Sequence, residues 1–195
     1  MQYLRIPYER IGILLGTEGS VKKKVETETG VFINIDSREG NVEVDGSRSP
    51  DPVMELKVAS FVSAVGRGFS PERAQRLLGE NAFLETLHIS DYTGNRKNRI
   101  QRMRARLIGR EGKSRKTLEL LTNTLISIQG DTVSFIGDPV ELSLAKEGID
   151  MLLRGSEHSA VFHFLERKRR QLMIRELQYN VEPEWPDAYQ EDMHD

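Results

Sequence analysis

The chain of 195 residues contains no cysteine. That excludes disulfides, thiolate metal sites and a cysteine nucleophile, and it points to a reducing, cytoplasmic setting. No apolar run approaches the ~18 residues that a membrane helix requires. The first residues, Met1-Gln2-Tyr3-Leu4-Arg5-Ile6-Pro7, carry neither a charged leader nor a sustained apolar stretch, so no secretory signal is expected. Histidine is scarce: His88, His158, His163 and His194 share no metal-ligand spacing. Acid is nearly missing from residues 96–116, where ten basic residues meet only Glu111, a local charge of +9. Base is missing from residues 176–195, where seven acidic residues give a local charge of −7. The formal net charge of −2 therefore conceals one basic patch suited to a polyanion and one acidic end.

What is present is an ordinary globular composition, 37% hydrophobic and 30% charged, long enough for one large domain or two small ones. An internal repeat decides between them. Gly16-Thr17-Glu18-Gly19 recurs 93 residues later as Gly109-Arg110-Glu111-Gly112. Apolar residues precede each copy, and a lysine-rich helical stretch follows it, Ser20–Glu26 and Lys113–Glu119. Period-two alternation then marks a half-buried strand, Val31, Ile33 and Ile35 against Thr124, Ile126 and Ile128. A second strand ends at Gly46 or Gly137, and Asp51-Pro52 or Asp138-Pro139 opens the next helix, with Asp at the N-cap and Pro in the first turn. Each unit reads strand, helix, Gly-x-x-Gly, helix, strand, strand, helix, with opening strands at 2–6 and 83–89. A short helix is expected between the units, from Pro71 to Leu78. Another follows the second unit, from Ser156 to about Leu177, with Val161, Phe162, Leu165, Leu172 and Met173 toward one side.

Two glycines three apart between helices let the chain reverse tightly and let a sugar-phosphate backbone approach, since no Cβ is in the way. The second helix then offers its free N–H groups to a phosphate. Leu107-Ile108-Gly109-Arg110-Glu111-Gly112-Lys113, followed by helix and strand, is similar to the signature of a KH domain, whose loop clamps about four nucleotides of single strand. The element order resembles the type I KH arrangement. Over roughly residues 1–170 the chain resembles one family, the two-KH small-subunit ribosome assembly proteins of archaea and eukaryotes called partner of Nob. Arg106–Lys113, Leu152-Leu153-Arg154-Gly155-Ser156 and Leu87-His88-Ile89-Ser90-Asp91-Tyr92 carry that resemblance. It implies binding near the 3′ end of small-subunit rRNA during ribosome assembly. It also implies three protein partners: the Nob endonuclease, the rRNA dimethyltransferase and the alpha subunit of initiation factor two.

The expected fold is α+β: two tandem type I KH domains, each a three-stranded antiparallel sheet with helices on one face, plus a C-terminal helix and an acidic tail. The divisions fall at 1–68, a connector at 69–82, 83–155, a helix at 156–178, and a disordered tail at 179–195. The second unit is expected to hold the RNA. Gly109, Arg110, Glu111 and Gly112 form its loop, and Lys113, Ser114, Arg115 and Lys116 follow. Arg99, Arg102 and Arg106, at helical spacing, are expected to face one groove. Ile108 and the strand residues Ile126 and Ile128 would supply an apolar floor, with strand edges rather than stacked aromatics reading the bases. Gly16, Thr17, Glu18, Gly19, Lys22 and Lys23 form a weaker second candidate site or a protein-docking module.

Catalysis is not expected, and neither is a cofactor, a metal or a membrane. Gly112-Lys113-Ser114 imitates the end of a phosphate-binding P-loop, but Leu107 stands where that motif needs glycine. The alternative function is a protein-interaction adaptor with secondary RNA binding, and nonspecific duplex binding is a third reading. The narrow KH cleft predicts a preference for single strands.

Overall fold

The computed structural model describes residues 1–179, so the acidic segment and its expected disorder lie outside the described residues from 180 onward. The first unit runs β1 (Gln2–Arg5), α1 (Tyr8–Leu15), α2 (Ser20–Thr29), β2 (Phe32–Asp36), β3 (Asn41–Asp45) and α3 (Met54–Gly66). The connector is α4 (Pro71–Ala74), continued by a 3₁₀ turn, Gln75–Leu78. The second unit runs β4 (Phe83–His88), α5 (Ser90–Thr93), α6 (Lys97–Ile108), α7 (Lys113–Thr122), β5 (Leu125–Gln129), β6 (Thr132–Gly137) and α8 (Pro139–Leu153). A last helix, α9 (His158–Tyr179), follows. Among the described residues no helix is long and apolar enough to cross a membrane.

Both sheets are antiparallel with the third strand in the middle, in the orders β1-β3-β2 and β4-β6-β5. Alternation places Ile33, Val42 and Val44 on the helix side of the first sheet, where they are buried with Leu14, Val58 and Phe61. The second core repeats the plan with Ile126, Val133 and Phe135 against Leu107, Leu118 and Ile149.

Within each unit the helices cover one face of the sheet, as expected, and the second sheet is covered on its other face as well, by the first unit. Every residue of β6 is buried, and Ile136, with the half-buried Leu84 and Leu125, belongs to the core of the first unit. Thr132-Val133-Ser134-Phe135-Ile136 carries no charge at either parity, the pattern of a strand covered on both faces. The matching face of the first sheet bears Tyr3, Arg5, Asn34, Asp36, Asn41 and Glu43, and these face solvent or are only half-buried.

The helix starts differ as well. Asp138 accepts the N–H groups of Val140 and Glu141, both at 2.8 Å, and Glu141 Oε2 accepts Asp138 N–H at 2.9 Å, a complete capping box. In the first unit α3 begins at Met54, three residues after Asp51, whose carboxylate closes only a local turn with Val53 N–H at 2.8 Å. Met54 stands where the box needs Glu, so the turn does not become a capped helix. On α9, Val161 and Leu165 are fully buried and Phe162 and Leu172 half-buried, but Met173 is 54% exposed. It lies about 100° around the helix from the side shared by Val161, Leu165 and Leu172.

The second unit also contains an insertion. Gly16 follows Ile6 by ten residues, whereas Gly109 follows Ile89 by twenty. The additional residues form α5 and lengthen the following helix from 8 to 12 residues. They bring Lys97 to the groove beside the second turn. Tyr92 anchors the insertion by donating to Asp150 at 2.9 Å.

Candidate nucleic-acid interface

The two Gly-x-x-Gly turns share one backbone. Gly16 and Gly109 take φ 72° and 71° with ψ 178° and 175°, a conformation open only to glycine. Glu18 and Glu111 follow in the left-handed region at φ 54° and 55°, then Gly19 and Gly112 at 76° and 73°. The two glycines of a turn do different jobs. A Cβ on Gly109 would stand 2.7 Å from Ser114 Cβ and 2.9 Å from Ser114 N, so the first position is closed by packing. A Cβ on Gly112 would meet nothing within 4 Å. That second position is open, and α7 starts beside it with no side-chain cap. Ser114, in the first turn of α7, is buried, and its hydroxyl has no hydrogen-bond partner among the described residues.

Beside this turn runs a groove of about 450 Å³. Lys97, Ile100, Gln101, Arg104, Ala105 and Ile108 of α6 form one wall, and Gly130 and Asp131 of the β5–β6 hairpin close the other. The hairpin has only these two loop residues, with positive φ at Gly130 as a type II′ turn requires. β5 is the free edge of its sheet. Ile126 N–H points outward and is taken by Glu119 Oε1 at 2.7 Å. Ile128 has the same strand parity, so its N–H and C=O face the same edge.

The structure sorts the predicted residues. Arg110, Glu111, Lys113 and Lys116 are exposed around the turn, and Ile108 lines the groove. Arg115 is half-buried, with its Nε 3.9 Å from Glu119. Ile126 is fully buried, so its side chain belongs to the core and offers no surface to a base; Ile128 is half-buried. The expected arginine stripe does not line the groove. Leu107, Met103 and Ile100 turn toward the core, which fixes the rotation of α6. Lys97, Gln101, Arg104 and Ile108 then fall on the groove flank, and Arg99, Arg102 and Arg106 on the other. Arg99 and Arg102 are exposed away from the groove lining. Arg106 donates to Ser156 O and, at 3.2 Å, to Gly155 O, bracing the end of α8. Of the groove's lining residues sequence reasoning proposed only Ile108, and the charged ones it missed are Lys97, Arg104 and Asp131. The apolar spacing of Ile100, Met103 and Leu107 was the signal that would have found the first two.

The first unit keeps the turn with no base inside it. Thr17 and Glu18 are exposed, Lys22 lies 3.8 Å from Glu26, and Lys23 makes no ion pair among the described residues. Arg10, the one base on α1, donates its Nε to Val65 O at 2.8 Å and its Nη2 to Phe69 O. Burial pushes its pKa down, and it braces the end of α3 as Arg106 braces the end of α8. In the second unit, Asp150 receives Arg154 Nε at 2.7 Å and the Tyr92 hydroxyl. These two donors, Arg154 first, hold its carboxyl below the usual carboxylate range. Among the described residues no three His, Asp or Glu side chains gather to hold a metal ion.

Two helix–turn–helix units on β1-β3-β2-type sheets, each with this Gly-x-x-Gly backbone, define a tandem pair of type I KH domains. A family profile described as a eukaryotic type KH domain (KH-domain type I) matches residues 83–170, and a general KH profile matches residues 1–53. A KH domain-containing protein of Methanocaldococcus jannaschii is 41% identical over 173 residues, covering 88% of this chain and 75% of the relative. The RNA-binding protein pno1 of Dictyostelium discoideum is 25% identical over 159 residues, 80% of this chain, and the chain spans 66% of that relative's length. A chain in the crystal structure of an a/eIF2alpha–aDim2p–rRNA complex from Pyrococcus horikoshii superposes with a TM-score of 0.82 at 39% identity, covering 87% of this chain and 94% of that one. The chain belongs to the archaeal and eukaryotic family of two-KH-domain small-subunit ribosome assembly proteins, the partner-of-Nob family.

Proposed function

We propose that the protein is a non-catalytic binder of single-stranded RNA that acts near the 3′ end of small-subunit rRNA during ribosome assembly. The RNA lies in the groove of the second unit. The observation that carries this reading is an internal comparison. Both units have the same turn backbone, but only the second sets it beside a groove walled by Lys97 and Arg104 and inside a stretch of charge +9. The RNA phosphates meet Arg110, Lys113 and Lys116 around the open Gly112, and bases reach Ile108 and the free edge at Ile128. The RNA-binding relative and the neighbour solved with rRNA support the ligand class.

The first unit serves as a protein-docking module. Its Arg10 is committed to the fold and its turn carries Glu18 with no base inside the turn, which supports this division. The a/eIF2alpha in the neighbour's complex supports the initiation factor as a partner. The Nob endonuclease and the rRNA dimethyltransferase rest on the family relationship alone. The test is fluorescence anisotropy with three ligands: a single strand matching the small-subunit rRNA 3′ end, its scrambled version, and a duplex. The matching strand is expected to bind tightest and the duplex weakest. Equal binding to all three would leave only a basic surface and favour the adaptor reading.

A further inference from the structure

The carboxylate of Glu119 sits where a polyanion-binding face has least use for one. It lies on α7, seven residues after Gly112. It caps the edge of β5 through Ile126 N–H, as Glu26 does for Ile33 N–H at 2.8 Å in the first unit. The two glutamates differ in their cations. Among the described residues Glu26 pairs only with Lys22 of its own helix, 3.8 Å away. Glu119 has Arg115 of its own helix, with Nε 3.9 Å away, and also forms a hydrogen-bonded ion pair with Arg73.

Arg73 comes from α4, the connector that leaves the first unit. That connector is fixed to the second unit on both sides of Arg73. Arg67 O accepts the Ser127 hydroxyl at 2.8 Å, and Arg76 donates to Asn123 O at 2.9 Å and to Glu141 at 2.6 Å. Arg73 therefore reaches Glu119 from a held position. Arg115, by contrast, is held loosely: among the described residues its buried Nε makes no hydrogen bond and lies 3.9 Å from Glu119, and 35% of its side chain is exposed on the helix that follows the open turn.

We infer that Arg73 is a positioning residue for RNA binding: by neutralising Glu119 it leaves the Arg115 guanidinium to an RNA phosphate rather than to the carboxylate. This rests on the second unit's being the RNA site. Without Arg73, Glu119 keeps its bond to Ile126 N–H and draws Arg115, its i,i+4 neighbour, out of the RNA face. The first unit then contributes to RNA affinity through its connector, without touching the RNA.

The test measures binding of a labelled single-stranded RNA matching the small-subunit rRNA 3′ end to the full chain over a series of salt concentrations. The proteins are the wild type, Arg73→Ala, Arg73→Lys and the double variant Arg73→Ala/Glu119→Gln, with thermal unfolding recorded for each. Each neutralised phosphate contributes about 0.7 to the slope of log K against log salt. Arg73→Ala is expected to make the slope about 0.7 shallower and to weaken binding about fivefold at 0.1 M salt. Arg73→Lys keeps the wild-type slope. Glu119→Gln added to Arg73→Ala restores it, because the amide still accepts Ile126 N–H but no longer attracts Arg115. A drop in melting temperature with an unchanged slope would make Arg73 merely structural and overturn the inference, as would a double variant that stays shallow. Wild-type protein that fails to bind the RNA at all would remove the RNA reading itself, and the inference with it.

Discussion

Arg104 and Arg106 stand two residues apart on α6, and the rotation of that helix gives them different roles. Arg104 lines the groove, whereas Arg106 is bonded to carbonyls at the end of α8. Arg104→Ala should weaken RNA binding several-fold and leave the melting temperature unchanged. Arg106→Ala should cost about 1.5 kcal/mol of stability, since it removes hydrogen bonds from a charged donor, with little direct effect on affinity. Parallel binding and unfolding measurements on the two variants check this division. The glycines of the second turn separate in the same way. Alanine at position 109 collides with the backbone of Ser114 and should unfold or strongly destabilise the unit. At position 112 it meets open space, so it should cost only about 1–2 kcal/mol of left-handed strain while obstructing the RNA. At this scale the sequence was legible in residue type and illegible in direction. It showed that 96–116 is basic, but the face each arginine takes depends on which neighbours the core claims.

Among the elements, the contrast between the starts of α3 and α8 gives a stability prediction. Asp138→Ala removes a capping box and should cost about 1 kcal/mol. Asp51→Ala removes only a turn contact and should cost less, an ordering that urea denaturation of the two variants resolves. The strands, the order of the helices and the two turns were readable from the repeat, because period and glycine spacing are local properties. The helix expected to open at Asp51-Pro52 starts instead at Met54, and the missing Glu at position 54 is the signal that the expectation overlooked. The absence of charge at either parity of Thr132–Ile136 marks the dual burial of β6, a signal the expectation did not use, but nothing in it marks what covers the second face. That depends on packing between units, which no local pattern encodes. The bracing roles of Arg10 and Arg106 were hidden for the same reason, since their acceptors lie 55 and 50 residues away in sequence.

At the scale of the whole molecule, duplication has produced two units with one plan and different surfaces. The first sheet leaves its polar outer face uncovered, while the second is closed by the first unit, and the connector arginines Arg73 and Arg76 tie the two together. The ten-residue insertion and the basic stretch fall in the second unit alone. A clamp on about four nucleotides, at about 0.7 per phosphate, predicts a slope of roughly −3 for log K against log salt. The central claim is that equal turns have unequal function, and matched charge reversal tests it most directly. Arg110→Asp and Thr17→Asp place the same carboxylate at the same position of the two turns. RNA binding by anisotropy should be lost in Arg110→Asp and largely kept in Thr17→Asp. Equal losses in both variants, or no loss in Arg110→Asp, would contradict the account.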